Sequence, residues 1–396
     1  MTPLQSSLLY LVRLGLGIEK PGIPLNSSAA ASVIADSGRE ALKLDRALYS
    51  LALEHGVQAI ALDGATRLLE GKNPPEIDPV VKKMWPAAVL HDEVMASLHQ
   101  GESCRMGQLF EKNGIRTYVL KGTVVAECYP NPAHRPSADL DCFLLPVDGN
   151  QPAAHAPAPQ AQPAPSAPAS AWELGNSIIE KTGVKVERGF YKNSTFFLHG
   201  LMVENHRFLT PFRGNPRLES LERLLQTLLR ADEGKDVIES SCLCRPPVMV
   251  TALFLIEHAY SHFLHEGLTW RHILDWMMFS RRHQDDIDWT EFNRRLNEFG
   301  FRRFYDSYVQ LGAFLLGEVS EEDLSKADRM MLSDVWAPLD LHDSVRGFMG
   351  KLNLAGNTLR ARWKYRLFSE ISMPRALWIQ VRGFLFIRNP KDVFPA

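Results

Sequence analysis

The spacing of apolar residues changes at Ile115, and this change limits the folds that are open to the chain. Before it, apolar residues recur every three or four positions, as in the segment 44–52, which predicts helices. After it, the short apolar run TYVL ends at Lys121-Gly122, and a second compact run covers residues 139–145. Runs of this length that end in a turn residue are typical of buried strands. The sequence therefore predicts a sheet that begins after a helical N-terminal region.

Residues 151–170 consist almost wholly of Ala, Pro, Gln and Ser and include six prolines. Proline has no backbone N–H to donate to a helix or sheet, so we expect an extended, solvated insert within one domain. Alternating runs over residues 184–206 predict further, antiparallel strands. A leucine stripe over residues 218–229 predicts that the chain then becomes helical again. The predicted regions are a helical N-terminal region (1–114), a sheet-containing core with the insert (115–210) and a helical C-terminal region (211–396).

The charge balance argues against a general attraction to nucleic acid. The chain has 44 Lys+Arg against 46 Asp+Glu and a net charge of −2, so only a local basic groove is open to such a partner. No apolar run reaches the roughly 18 residues of a membrane span, and no basic residue precedes the N-terminal apolar stretch. The five cysteines are scattered, which is typical of reduced thiols. We expect a cytoplasmic protein without a membrane partner.

Two aspartates, Asp139 and Asp141, open the second predicted strand. Because alternate residues of a strand point to the same face, their carboxylates lie side by side and repel each other unless a cation sits between them. Magnesium prefers oxygen ligands and keeps open positions for phosphate oxygens. The pattern therefore predicts a Mg²⁺ site, with Glu204 as the third acid and Glu187 as the reserve candidate.

The segment before these aspartates offers groups that bind phosphate. Gly122 follows a strand and opens a predicted helix, so triphosphate oxygens can approach backbone N–H groups that a Cβ would shield. The Thr123 hydroxyl is available to the same oxygens. Lys121 and Arg135 are nearby cations that can offset the triphosphate charge. We predict that these residues bind a nucleoside triphosphate.

The order of these motifs resembles that of the uncharacterised nucleotidyltransferases of the polymerase-β superfamily. Members of that family show an apolar strand, Leu-Lys-Gly, a Tyr-Pro turn, an arginine and Asp-x-Asp. The corresponding residues here are Leu120-Lys121-Gly122, Tyr129-Pro130, Arg135 and Asp139-Leu140-Asp141. The family's helical tail carries histidines followed by a tryptophan, an arginine or lysine and an aspartate, and IEHAYSHFLHEGLTWRHILDW is similar.

The resemblance implies an α/β (α+β) fold, with a polymerase-β-like mixed sheet and helical N-terminal and C-terminal regions. It implies magnesium, a nucleoside triphosphate donor, and Asp139, Asp141 and Glu204 as the three acids. The superfamily turn is more often Gly-Ser, and Gly122-Thr123 keeps the hydroxyl; the usual Glu-x-His of the third-acid strand is matched by Glu204-Asn205-His206. We therefore predict an enzyme that moves a nucleotidyl group to an acceptor hydroxyl that the sequence does not identify.

Two other interpretations use the same residues. An inactive module can keep the fold and bind a nucleotide or recruit a partner, and a Glu204 that points away from Asp139 and Asp141 would favour it. A purely helical scaffold without chemistry is the other interpretation, and an all-helical structure would support it.

The tail motif also has a simpler interpretation. His258 and His262 lie four residues apart, but the glutamate that zinc proteases place between such histidines is missing. We interpret them as hydrogen-bonded histidines on a helix surface. Arg271 and Asp275 are likewise interpreted as an i,i+4 pair that braces a helix.

Overall fold

The computed structural model describes residues 1–18, 42–71, 74–136, 139–147, 170–188, 191–211, 215–239, 241–337 and 361–378. Apart from Ser170, the predicted insert lies outside the described residues. Ser170 caps the helix that follows, because its hydroxyl accepts a hydrogen bond from the backbone N–H of Glu173.

Strands and helices are interspersed along the described residues. The strands are β1 (Lys43–Leu44), β2 (Glu76–Ile77), β3 (Ile115–Val119), β4 (Asp139–Pro146), β5 (Asn193–Leu198), β6 (Leu201–His206) and β7 (Leu243–Cys244). The first helices are α1 (Pro3–Gly15), α2 (Arg46–Glu54), α3 (Gln58–Leu69), α4 (Val81–Lys112), α5 (Thr123–Ala126) and α6 (Ala171–Lys181). They are followed by α7 (Pro216–Ala231), α8 (Val248–His265), α9 (Trp270–Arg282), α10 (Trp289–Phe299), α11 (Arg302–Leu315), α12 (Lys326–Val335) and α13 (Arg362–Phe368).

The main sheet has five strands in the order β5-β6-β4-β3-β7. Its pairings are mixed: β5–β6 and β4–β3 are antiparallel, whereas β6–β4 and β3–β7 are parallel. This mixed sheet with helices before and after it confirms the predicted fold class and is incompatible with an all-helical scaffold. The short parallel pair β1–β2 was not apparent from the sequence, because two-residue strands leave no periodic pattern.

Two of the predicted antiparallel strands, β5 and β6, form a hairpin whose two-residue turn is His199-Gly200. Both residues have positive φ, at 46° and 95°, as the tight turns of β-hairpins require. The strand predicted from residue 184 is reduced to an isolated bridge, in which Glu187 and Thr195 exchange backbone hydrogen bonds of 2.8 and 2.9 Å.

The described residues belong to two compact units. Unit 1 comprises Met1–Ser97, Val125–Pro136 and Leu255–Leu377, and unit 2 comprises Leu98–Val124, Ser137–Phe254 and Trp378–Ala396. The division at residues 114 and 210 stays a prediction.

Unit 2 contains the main sheet and its apolar core. Side chains from the strands and from α4 and α6 form this core, with Phe110, Val119, Cys142, Ile179 and Val203 all at most 1% exposed. The interior side chains of β4 explain why its sequence is an almost continuous apolar run.

Unit 1 is largely helical, and two glycines allow α1 and α3 to pack closely. A Cβ on Gly15 would lie 1.9 Å from the carbonyl oxygen of Ile60, and one on Gly64 would lie 2.0 Å from that of Leu11. These distances leave no room for a side chain. None of the helices within the described residues is both long and apolar enough to cross a membrane.

Candidate active site

The predicted acids meet on one face of the sheet in unit 2. β4 and β6 run parallel in a register that places Asp141 directly beside Glu204. Asp139 lies two positions before Asp141, and His206 lies two positions after Glu204, so all four residues share this face. The register therefore brings together the three acids that were predicted from the sequence.

Lys121 joins the two aspartates. Its Nζ lies 3.0 Å from Asp141 Oδ2 and 3.5 Å from Asp139 Oδ2. The lysine follows the end of β3, and the backbone N–H of Leu120 donates to the carbonyl of Asp141 at 2.9 Å, which fixes the turn beside β4. The two carboxylates thus lie close enough to share one cation, as the strand periodicity predicts.

Asp141 is almost completely buried, with 1% of its surface exposed. Its Oδ1 lies 2.9 Å from His206 Nε2. Its Oδ2 forms an ion pair with Lys121 but accepts no hydrogen bond of favourable geometry from the described residues. Burial alone would raise the pKa of Asp141, but Lys121 and His206 outweigh burial and hold this pKa well below its usual value. Asp141 is therefore a buried carboxylate whose charge depends on its cationic neighbours.

His206 connects Asp141 with Glu204. Its Nε2 lies 3.5 Å from Glu204 Oε2, and its Nδ1 lies 3.3 Å from the carbonyl oxygen of Phe208. A carbonyl oxygen only accepts, so Nδ1 bears a proton, and Nε2 faces the two acids. Burial alone would lower the pKa of His206, but hydrogen bonds to Asp141 and Glu204 raise it. His206 was not among the site residues predicted from the sequence, although the Glu-x-His pattern was a signal for it.

The arrangement fits a divalent cation. One ligand atom each from Asp141, Glu204 and His206 lie within 4.8 Å of one another, and Asp139 shares the contact with Lys121. Carboxylate oxygens suit Mg²⁺ or Mn²⁺, and an imidazole nitrogen is compatible with Mn²⁺ and heavier ions. Hence the donor set is consistent with a metal centre.

Glu187, the reserve candidate for the third acid, lies next to β5 on the side that faces away from β6. Glu187 is bridged to Thr195, which is the partner of Glu204 in β5. Two strand spacings, about 10 Å, therefore separate Glu187 from Glu204. Glu187 forms an ion pair of 2.7 Å with Lys185, so Glu204 is the better placed third acid.

The predicted phosphate-binding segment follows β3 in unit 2. Gly122 has φ +69°, a conformation that an L side chain rarely adopts. Thr123 begins the four-residue helix α5. Lys121 contacts both aspartates, and Gly122 and Thr123 directly follow it in the chain.

Arg135 lies in unit 1 and is held by Asp275. Its Nε and Nη2 donate to Asp275 Oδ1 and Oδ2, both at 2.7 Å, and Tyr129 Oη donates to Asp275 Oδ1 at 2.8 Å. Arg271 donates to the carbonyl oxygen of Pro136 at 3.1 Å. Asp275 thus anchors the segment that leads to β4, rather than only bracing its own helix.

A comparison with protein families gave a match for this chain. Residues 44–156 and 167–317 match the family described as "Uncharacterised nucleotidyltransferase". Because this match covers well over half of the chain, the protein belongs to this family of nucleotidyltransferases. Neither the comparison with curated proteins nor that with solved structures gave a match.

Proposed function

We propose that this protein is a metal-dependent nucleotidyltransferase that transfers a nucleoside monophosphate from a nucleoside triphosphate to an acceptor hydroxyl. The observation that carries the proposal is the pairing of Asp141 with Glu204 across β4 and β6, with Asp139 linked to Asp141 through Lys121. Carboxylates that are gathered in this way on one sheet face suit divalent-ion-assisted phosphoryl transfer.

Asp139, Asp141 and Glu204 would hold the ion, and Mg²⁺ is the ion that we propose. When bound, Mg²⁺ would supply positive charge to the phosphate oxygens. In its absence, Lys121 and His206 compensate the charge of Asp141. A bound triphosphate would recruit Lys121 as a phosphate ligand, since an ammonium binds phosphate as a point charge.

In the proposed reaction, the acceptor oxygen attacks the α-phosphorus of the triphosphate. A new phosphorus–oxygen bond forms as the bond to the bridging oxygen breaks, and pyrophosphate leaves with that electron pair. The acceptor proton passes to Glu204, whose side chain is 30% exposed and therefore accessible to a substrate.

The turn after β3 supplies the other proposed contacts. The backbone at Gly122 and the hydroxyl of Thr123 would bind triphosphate oxygens. A contact between Arg135 and the triphosphate stays a prediction, because its guanidinium is engaged by Asp275. The acceptor remains open among a sugar, another small molecule, a protein hydroxyl and an RNA end.

The inactive-module alternative would be favoured by a Glu204 that points away from the aspartates. The register of β4 and β6 instead places Glu204 beside Asp141, which supports the enzyme proposal.

Titration calorimetry with ATP, GTP, CTP and UTP in the presence of Mg²⁺ tests the proposal. We expect one or more of these nucleotides to bind the wild type and to bind the double variant Asp139→Asn/Asp141→Asn at least about tenfold more weakly. Glu187→Gln is the matched control and should bind as the wild type does. Equal binding by wild type and double variant would contradict the assigned site.

Incubation of a cell lysate with triphosphates labelled at the α-phosphate tests the transfer itself. Label should pass to an acceptor with wild-type protein and not with Glu204→Gln. Nucleotide binding without transfer would instead identify an inactive nucleotide-binding module.

A further inference from the structure

Three histidines converge in unit 1, whereas Lys121 and the proposed metal ligands belong to unit 2. His258 and His262 lie one turn apart on α8, and His272 lies in the first turn of α9. The chain reverses between these helices at Gly267, whose φ of +102° is accessible to glycine. This reversal brings His272 against the last turns of α8.

The three rings have nearly the separation that a shared ion requires. The ring centres are 4.4 Å apart for His258 and His262, 4.8 Å for His262 and His272, and 6.3 Å for His258 and His272. One nitrogen from each residue lies within 4.8 Å of the others, and all three residues are half-buried. Two imidazoles bound to one ion through bonds of about 2.1 Å have ring centres about 4.5–5.2 Å apart. The His262–His272 pair meets this condition, the His258–His262 pair is slightly closer, and the His258–His272 pair needs a shift of about 1 Å.

His262 is oriented as a metal ligand would be. Its Nδ1 lies 2.7 Å from Glu266 Oε2. An ionised carboxylate only accepts hydrogen bonds, so this contact places the proton on Nδ1 and leaves the lone pair of Nε2 for an ion. A carboxylate that fixes the outer nitrogen of an imidazole is common around metal-bound histidines.

A hydrogen bond from Thr269 to His272 opposes the binding of a metal ion. The backbone N–H of Thr269 donates to His272 Nδ1 at 3.1 Å, which places the proton of the neutral ring on Nε2. An ion that binds His272 must therefore displace that proton or break the bond to Thr269. This cost makes the affinity lower than that of a site built from three preoriented rings.

We propose that His258, His262 and His272 form a binding site for a transition-metal ion, with Zn²⁺ as the expected occupant and Glu266 as the group that orients His262. Imidazole ligands suit Zn²⁺, Cu²⁺ and Ni²⁺, whereas Mg²⁺ prefers oxygen. The site therefore differs in chemistry from the carboxylate cluster around Asp141, and it does not depend on the proposed transfer reaction.

Zn²⁺ titration of the full chain, with any affinity tag removed and metals stripped by a chelator, tests this site. We expect one Zn²⁺ to bind with an affinity that falls at least about tenfold in His258→Gln and in His262→Gln. His265→Gln is the matched control on the same helix, since His265 Nδ1 bonds to the carbonyl oxygen of Ser261. His265→Gln should bind Zn²⁺ with the affinity of the wild type. Asp141→Asn, which changes the carboxylate cluster, should do so as well.

Electron paramagnetic resonance of the Cu²⁺-loaded wild type gives a second readout that does not depend on the folding of a variant. Nitrogen couplings from three imidazoles are expected, whereas His206 is the only histidine that the described residues bring to the site at Asp141. Couplings from no more than one imidazole would overturn the proposal, as would unchanged Zn²⁺ affinity in a folded His258→Gln/His262→Gln variant. Loss of nucleotide binding in Asp141→Asn with Zn²⁺ binding retained would separate the two sites.

Discussion

Arg135 and Asp275 form a buried bidentate ion pair, with both nitrogen–oxygen distances at 2.7 Å. The two residues are 140 positions apart in the chain, and their side chains are 3% and 9% exposed. Burial alone would raise the pKa of Asp275, but the charge and hydrogen bonds of Arg135 lower it. The family motif before β4 and the motif of the helical tail therefore meet in a single contact within unit 1.

Removal of the charge at Asp275 should strongly destabilise unit 1. Asp275→Asn leaves the Arg135 guanidinium buried without a counter-charge, and we expect a loss of about 3–5 kcal/mol in the free energy of unfolding. Urea denaturation measures this loss. The control Arg223→Ala breaks an exposed pair with Glu219 and should change the stability by about 0–1 kcal/mol. Similar losses in both variants would contradict the importance of burial.

Lys121→Met should make the stability of unit 2 depend on divalent cations. Without the ammonium, Asp139 and Asp141 repel each other, so we expect a lower melting temperature in a chelating buffer. Added Mg²⁺ should raise the melting temperature of this variant more than that of the wild type, because an ion bound only by the folded state stabilises it. Lys185→Met removes an exposed partner of Glu187 and should behave as the wild type does. An identical Mg²⁺ response in all three proteins would count against a cation site at these acids.

His55 should reduce the stability of the protein in mildly acidic solution. Burial lowers its pKa from 6.5 to about 4, and its ring packs edge-on against Trp336 at 4.9 Å. The folded state therefore favours the neutral ring. The contribution of His55 to the free energy of unfolding is fully present above pH 6.5. It is lost as the pH falls towards 4, by about 3 kcal/mol in total.

Denaturation of wild type and His55→Phe between pH 7 and pH 4 measures this effect. The stability of the wild type should fall more steeply, because phenylalanine takes up no proton. His91→Phe replaces an exposed histidine and serves as the control. Parallel pH profiles for wild type and His55→Phe would show that burial of His55 does not set its protonation.

A methyl group at Gly64 should separate two helices of unit 1. The Cβ of Gly64→Ala would lie 2.0 Å from the carbonyl oxygen of Leu11, so α1 and α3 must move apart, at a cost of about 1–3 kcal/mol. Gly101→Ala is the matched control within α4, since Arg105 Nη2, at 4.0 Å, is the only atom of the described residues near its Cβ. That variant should gain about 0.5–1 kcal/mol from helix propensity. Thermal unfolding of both variants tests the contrast, and equal effects would disprove close packing at Gly64.

The local chemistry of the proposed site followed from the sequence. Strand periodicity placed Asp139 and Asp141 on one face, because backbone geometry fixes the directions of alternate side chains along a strand. The alternating runs also predicted the antiparallel strands that include Glu204. These features depend on residues close together in the chain, and the structure confirmed the mixed sheet that contains them.

The tertiary structure decided which distant residues meet. Only the parallel register of β4 and β6 places Glu204 beside Asp141 and brings His206 to the same acids. Only the packing within unit 1 directs Arg135 to Asp275. The sequence gives the type of each side chain and its spacing from nearby residues. Its partners from distant parts of the chain depend on how strands and helices are aligned, and packing of the whole core sets that alignment.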